Sequence, residues 1–192
     1  NILASLNSEF GIDVSNTSIN EIAPVLGSTF YSKAIGVVVA AIILIVIVVF
    51  LFFREFVPSV AIIACGILDV LGGIAGMVIF GIPLSMVSIV ALLMLLGYSI
   101  DTDILLTTKL IKRSDGSPRE RCGDAMRTGI YMTTTTLAAI GSMLVVAKLY
   151  NIGIFFDISV ILLCGLVVDL IATWLMNAPI LLWYVEKKKT NQ

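Results

Sequence analysis

Five long apolar runs dominate the chain, at about 34–53, 57–80, 85–106, 128–147 and 154–185. Each is long enough, at ~1.5 Å per helical residue, to cross ~30 Å of hydrocarbon. The pattern predicts an all-α membrane protein with five transmembrane helices. Gly81-Ile82-Pro83 separates the second run from the third, because proline cannot continue a helix and glycine tolerates the reversal. Residues 1–33 are richer in Asn and Ser, with a weak amphipathic run (Ile2, Leu3, Leu6, Phe10) ahead of turn residues and Pro24; they are expected to be the remnant of an extracytoplasmic domain leading into the first span. The five-helix block fills 34–185, a basic loop lies at about 109–127, and a basic tail follows at 186–192.

Charge gives the block a direction. Arg54, Lys109, Lys112, Arg113, Arg119, Arg121, Arg127 and Lys187 to Lys189 fall on one side, and only Lys33 and Lys148 on the other. Positive residues collect in the cytoplasm, so the C-terminus is expected to be cytoplasmic, the N-terminal segment outside, and the block a multi-pass protein of the cell membrane, with Trp183 and Tyr184 as interfacial anchors. In the basic loop, Ser117-Pro118-Arg119-Glu120 reads as a capping box with proline at the first helical position. A short surface helix leading into the fourth span is expected there; its plain alternative is a solvated linker.

Composition narrows the chemistry. Hydrophobic residues make up 59% and charged residues 13%, mean hydropathy is +1.08, and net charge is −1 with no His. Neither a basic nucleic-acid face nor a histidine-bearing metal or catalytic site is available; no cofactor and no enzymatic activity are expected. Three cysteines, Cys65, Cys122 and Cys164, exclude an even disulfide framework and read as reduced thiols. The chain starts at Asn1 without Met or a basic segment ahead of an apolar one, so no signal peptide is visible and a shortened piece of a longer protein is expected.

Against that apolar background the polar positions stand out. Gly97-Tyr98-Ser99-Ile100 runs directly into Asp101-Thr102-Asp103. Acids within spanning helices are costly and often mark ion or proton routes. Gly97, Asp101 and Thr108 share one side of the third span, and Ser99, Asp103 and Thr107 another. The second span sets Asp69 on one face with Cys65, Gly73 and Gly76, a small-residue face suited to helix packing. The fourth carries Thr133-Thr134-Thr135-Thr136, and the fifth a period-four stripe of Gly165, Asp169, Thr173 and Asn177. Counted from Pro58 and Lys109, Asp69 and Asp101 lie ~12 to 16 Å deep and the threonines ~9 to 13 Å, one layer; Asp169, ~21 Å from Trp183, falls further out. Desolvation favours the protonated form of a carboxyl group, as a relay needs. The alternative is neutral interhelical glue worth ~0.6 to 2 kcal/mol per acid. Asp157, near the outer end, reads as interfacial. Asp69 and Asp101 also invite comparison with an intramembrane aspartyl protease, but the G-x-G-D signature is missing.

At these residues the chain resembles the SecF family, subunits of the SecDF protein-export complex in the resistance-nodulation-division superfamily, and its archaeal branch. The family word G-Y-S-I-N-D-T matches at Gly97 to Ile100, with Lys109 as the following basic residue. The family's Asp falls on Thr102, flanked here by Asp101 and Asp103. The partner subunit's V-D-A-N word places its Asp level with Asp101, which ranks Asp101 first and Asp103 second. Asp69-Val70-Leu71 matches a D-V-L of the preceding span, with Leu68 in place of the usual His. Pro24 with Gly27, and Gly165 with Pro179, keep family spacings, whereas Asp169 replaces a small residue. Arg127 lies one place from a fourth-span Arg that takes part in proton passage.

The resemblance implies that the five helices form most of one half of a pseudo-symmetric bundle, completed by a SecD-like membrane subunit. It also implies a preceding span and outside domain, a Sec translocon and a translocating polypeptide as partners besides membrane lipid, and a drive from protons or sodium. Asp101, Asp103, Asp69, Asp169, Thr133, Thr134 and Arg127 would carry the relay. A small-molecule or lipid exporter half of the same superfamily and a passive translocon scaffold are the alternatives.

Overall fold

The structure, a computed structural model, describes residues 24–112 and 116–190; the amphipathic run at Ile2 to Phe10, and with it most of the expected outside remnant, lies beyond the described residues. The chain divides into two units, Asn1–Gly36 and Val37–Gln192. In the first, the described part is the opening of helix α1. Everything below belongs to the second.

The helices are α1 (Pro24–Phe53), α2 (Phe56–Phe80), α3 (Met86–Ile111), α4 (Pro118–Leu149), α5 (Gly153–Ala172) and α6 (Ala178–Thr190), the last two joined by a five-residue π-helical turn, Thr173–Asn177. They supply five segments long and apolar enough to cross a membrane, α5 and α6 forming one of them. The described part of α1 opens at Pro24, ten residues before the apolar run. The surface helix expected ahead of the fourth span is continuous with it: α4 runs unbroken for 32 residues. Its capping box is present, the Ser117 N–H donating to Glu120 Oε2 at 2.8 Å and the Glu120 N–H to Ser117 Oγ at 3.3 Å.

The junctions follow from local chemistry. α1 stops at Arg54, which takes φ 52 and donates its N–H to the Phe50 carbonyl at 2.8 Å. α2 stops at Gly81, φ 66, whose N–H reaches the Val78 carbonyl while that of Ile82 reaches Met77 at 2.9 Å. This is the paired closure that a left-handed glycine permits, and Pro83 follows it. α3 opens on Ser85, whose side chain exchanges hydrogen bonds with Ser88. At the fifth span the N–H of Ala178 bonds the Thr173 carbonyl five residues back. Pro179 explains it: without an N–H, and with its ring pressing on the preceding turn, it prevents regular α-helical pairing there.

α5 is the central helix, packed on α2, α3 and α4. Its approach to α2 relies on glycines: a Cβ at Gly72 would stand 2.6 Å from Val168 and one at Gly76 2.6 Å from Cys164. Gly165 likewise gives room to Leu95 of α3. Leu92, Leu95, Ile161, Leu162 and Leu166 fill the core between them. α1 is peripheral. Only 6% of its apolar window is buried, against 56% for α3, and it holds on through Val49 and Phe53 against Ile62, with Ile45 and Ile104 beside them.

One end of the bundle is tied by polar contacts. Lys109 Nζ donates to the Asp124 carbonyl at 3.0 Å and to Thr128 Oγ1 at 2.7 Å. Lys112 Nζ sits 3.4 Å from the centre of the Phe52 ring. Arg119 pairs with Glu186 at 3.1 Å, and Glu55 accepts from Lys188 at 2.5 Å and from Tyr184 at 2.6 Å. This is the basic end.

Candidate functional site: a buried carboxyl chain

The period-two pattern after Tyr98 sorts α3 into two faces. Ser99, Asp103 and Thr107 are fully buried, while Gly97 and Asp101 are exposed on the opposite side. Asp69 of α2 and Asp169 of α5 are fully buried as well, because both small-residue faces turn toward α3 and each other. Three carboxyl groups from three helices thus share the bundle interior.

Short polar side chains connect them. The Ser99 hydroxyl donates to Asp69 Oδ2. The Thr173 hydroxyl lies 3.2 Å from Asp103 Oδ1 and 3.3 Å from Asp169 Oδ1; its single proton serves one acid at a time. Asn177 Nδ2 donates to Asp103 Oδ1 at 2.7 Å. Asp69 and Asp169 are close electrostatic neighbours. Among the described residues, no N–H or hydroxyl donor reaches Asp69 Oδ1, Asp103 Oδ2, Asp169 Oδ2 or Asn177 Oδ1. The order is a chain, Asp69 to Asp169 to Thr173 to Asp103 to Asn177. Among the described residues, no three His, Cys, Asp or Glu side chains converge as the ligands of one metal ion do.

Asp169 therefore sits in the same layer as Asp103, not a level further out. The reason is the length of the last helix. Tyr184, not Trp183 against Lys109, is the level mark, since Tyr184 meets Glu55. From Glu55 to Asp69 is ~21 Å along α2, and from Tyr184 to Asp169 is ~22 Å along α6 and α5, so the two acids coincide.

The remaining residues singled out by sequence lie apart. Asp101 is exposed on the outside of the bundle, with Tyr98 41% exposed beside it. Thr133 is buried on α4 but makes no side-chain hydrogen bond to the acids among the described residues; Thr134 and Arg127 are exposed. Thr135 and Thr136 donate to their own helix, to the Met132 carbonyl at 2.8 and 3.0 Å, a local habit of hydroxyls in helices. α4 instead meets α3 and the π turn through Gly129, where a Cβ would lie 2.5 Å from the Trp174 ring and 3.6 Å from Thr102. Thr173 and Asn177 were visible as a stripe, yet their service to Asp103 was not, because it depends on which helix faces α3. Ser99 stood out as part of a word and acts as a donor.

Comparisons with known proteins bear on the family. The family described as "Protein export membrane protein SecD/SecF, C-terminal" matches residues 2–187. The protein-export membrane protein SecF of Methanolacinia petrolearia is 45% identical over 172 residues, 90% of this chain and 61% of the relative. That of Methanothermobacter thermautotrophicus is 41% identical, covering 88% and 60%, and that of Methanocaldococcus jannaschii 40%, covering 94% and 65%. The chain spans about three-fifths of the length of these curated relatives. With five membrane-length helices and a family match over nearly its whole length, the chain is a multi-pass membrane protein that belongs to the SecD/SecF C-terminal family.

Proposed function

We propose that this chain is the membrane half-block of an ion-driven export motor, which couples movement of protons to polypeptide passage through the Sec translocon alongside a SecD-like subunit. One observation carries the reading: three carboxyl groups with no exposure, strung through Ser99, Thr173 and Asn177. Three ionised acids cannot share so small an apolar interior, since each uncompensated buried charge costs several kcal/mol. Protons must accompany them. A carboxylic O–H between Asp69 and Asp169 would supply the donor that both lack, and a Thr173 hydroxyl poised between Asp169 and Asp103 gives a proton its next step. The linear order favours hand-over of a proton over coordination of sodium, which needs convergent oxygens.

Asp101 takes a different role in this reading. An acid on the outside of a spanning helix cannot rest against lipid tails, so its face is assigned to the SecD-like partner, where acids of the two subunits meet. Exposed Arg127 and Thr134 and the buried Thr133 support the passage on the α4 side. The excess of positive residues at the basic end supports a cytoplasmic position for it. Each proton crossing ~100 mV releases ~2.3 kcal/mol, enough to bias a two-state helix arrangement.

The test uses the complete complex reconstituted with its translocon, with export measured with and without an imposed proton gradient. Asp103→Asn and Asp101→Asn are each expected to abolish the gradient-dependent increment. Unimpaired increments in both variants overturn the assignment, and an increment that follows a sodium gradient alone overturns the choice of ion.

A further inference from the structure

α1 leaves the bundle as it runs away from the basic end, and a groove opens between it and α2 and α3. The cavity holds about 120 Å³. Ile42, Ile45 and Val46 form one wall, Ile63 and Ile67 the other, with Gly66 and Leu96 at the back, and no polar side chain lines it. Such a lining cannot satisfy a peptide backbone, and a helix with side chains is ~10 to 12 Å across. A bare hydrocarbon chain has no group to satisfy and is narrow enough to enter.

Two cations mark where its head would lie. Arg54 is exposed at the left-handed turn that ends α1 and, among the described residues, has no ion-pair partner. The neighbouring carboxylate, Glu55, is engaged by Lys188 and Tyr184. Lys112 is exposed at the end of α3, its ammonium over Phe52 at the same end of α1. Val46 and Ile42 stand eight and twelve residues from Arg54, ~12 and ~18 Å along the helix. One leaflet of hydrocarbon is ~15 Å deep. A phosphate at Arg54 and Lys112 therefore sends its tail to the level of the groove.

We propose that this groove binds an anionic phospholipid, one hydrocarbon chain between α1, α2 and α3 and its phosphate between Arg54 and Lys112. The bound chain wedges α1 away from α2 and serves as the packing that α1 otherwise lacks.

Native mass spectrometry of the full-length complex in mild detergent tests this, titrating phosphatidylglycerol against phosphatidylcholine of equal chain length. Phosphatidylglycerol is expected to bind about tenfold tighter or more, as two cations at the headgroup imply. Arg54→Gln with Lys112→Gln is expected to remove the preference, Ile67→Trp to weaken both lipids by filling the groove, and Val48→Trp, on the exposed side of α1, to change nothing. Equal binding of the two lipids by the unaltered complex, complete competition by glycerol phosphate, or full binding by Ile67→Trp each overturns the proposal. A photoreactive benzoylphenylalanine at position 67 in native membranes is expected to add the mass of a lipid; capture of a polypeptide segment there overturns it equally.

Discussion

Asn177 holds Asp103 by the shortest bond in the buried chain that does not involve Ser99, 2.7 Å, and it has no exposure. Asn177→Leu is expected to destabilise the protein by about 1 to 3 kcal/mol, the cost of stranding a buried acceptor. Asp103→Leu combined with Asn177→Leu is expected to be less damaging than the single Asn177 change, since both partners of the bond are then gone; unfolding midpoints in detergent measure the difference. Glu55 carries a different dependence. The Lys188 ammonium and the Tyr184 hydroxyl hold its carboxyl below the usual carboxylate range. A depressed folded-state value means that the contact contributes fully above the ordinary value of 4.5 and is lost as pH falls through the lower folded value. Distance measurements between spin labels near positions 54 and 190 are expected to broaden in acid, and Glu55→Gln to show that breadth at every pH. Of these residues, the acids were legible in sequence because charge is rare in apolar runs. Their ligands were not, because Asn and Thr recur on many helix faces and only the packing of α5 on α3 selects them.

At the level of helices, the five spans were legible because length and apolarity suffice to define them. Gly81 and Ser117 declared two boundaries through the backbone geometry that they alone favour. The π turn was not legible. A proline in an otherwise helical stretch announces a break without stating whether a kink, a stop or an extra residue results. Pro179→Ala is expected to let Thr173–Asn177 relax toward regular α-helix, turning α6 and withdrawing Tyr184 from Glu55. Disulfide formation between Glu55→Cys and Lys188→Cys, in a background lacking Cys65, Cys122 and Cys164, is expected to fall accordingly. The glycine contacts make a second prediction. Gly76→Val puts branches where Cys164 already stands 2.6 Å from a bare Cβ and is expected to cost about 1 to 3 kcal/mol through overpacking. Gly141→Ala, with nothing within 4 Å, is expected to be neutral or stabilising by up to about 1 kcal/mol.

Across the whole second unit, burial is distributed unevenly: α2, α3 and α5 form a tight core, while α1 is attached at one end. Amide exchange in detergent is expected to be faster for 37–48 than for α3, and Val49→Ala with Phe53→Ala to extend that fast exchange to the end of α1. The asymmetry has a correlate in the sequence, since the run at 34–53 carries no polar side chain and the other four each carry several; how far each helix meets protein is a property of the packing. The same holds for the two α3 acids. Their spacing put them on opposite faces, yet only the fold shows that the inner one is Asp103. Because protein holds α1 mainly near Val49 and Phe53, the helix is expected to act as a lever. The arm from Val49 to Val37 is ~18 Å, so a tilt of roughly 10° at the clamp swings its tip by roughly 3 Å, and a sub-ångström shift beneath Phe53 is read out several-fold larger at the opposite membrane face.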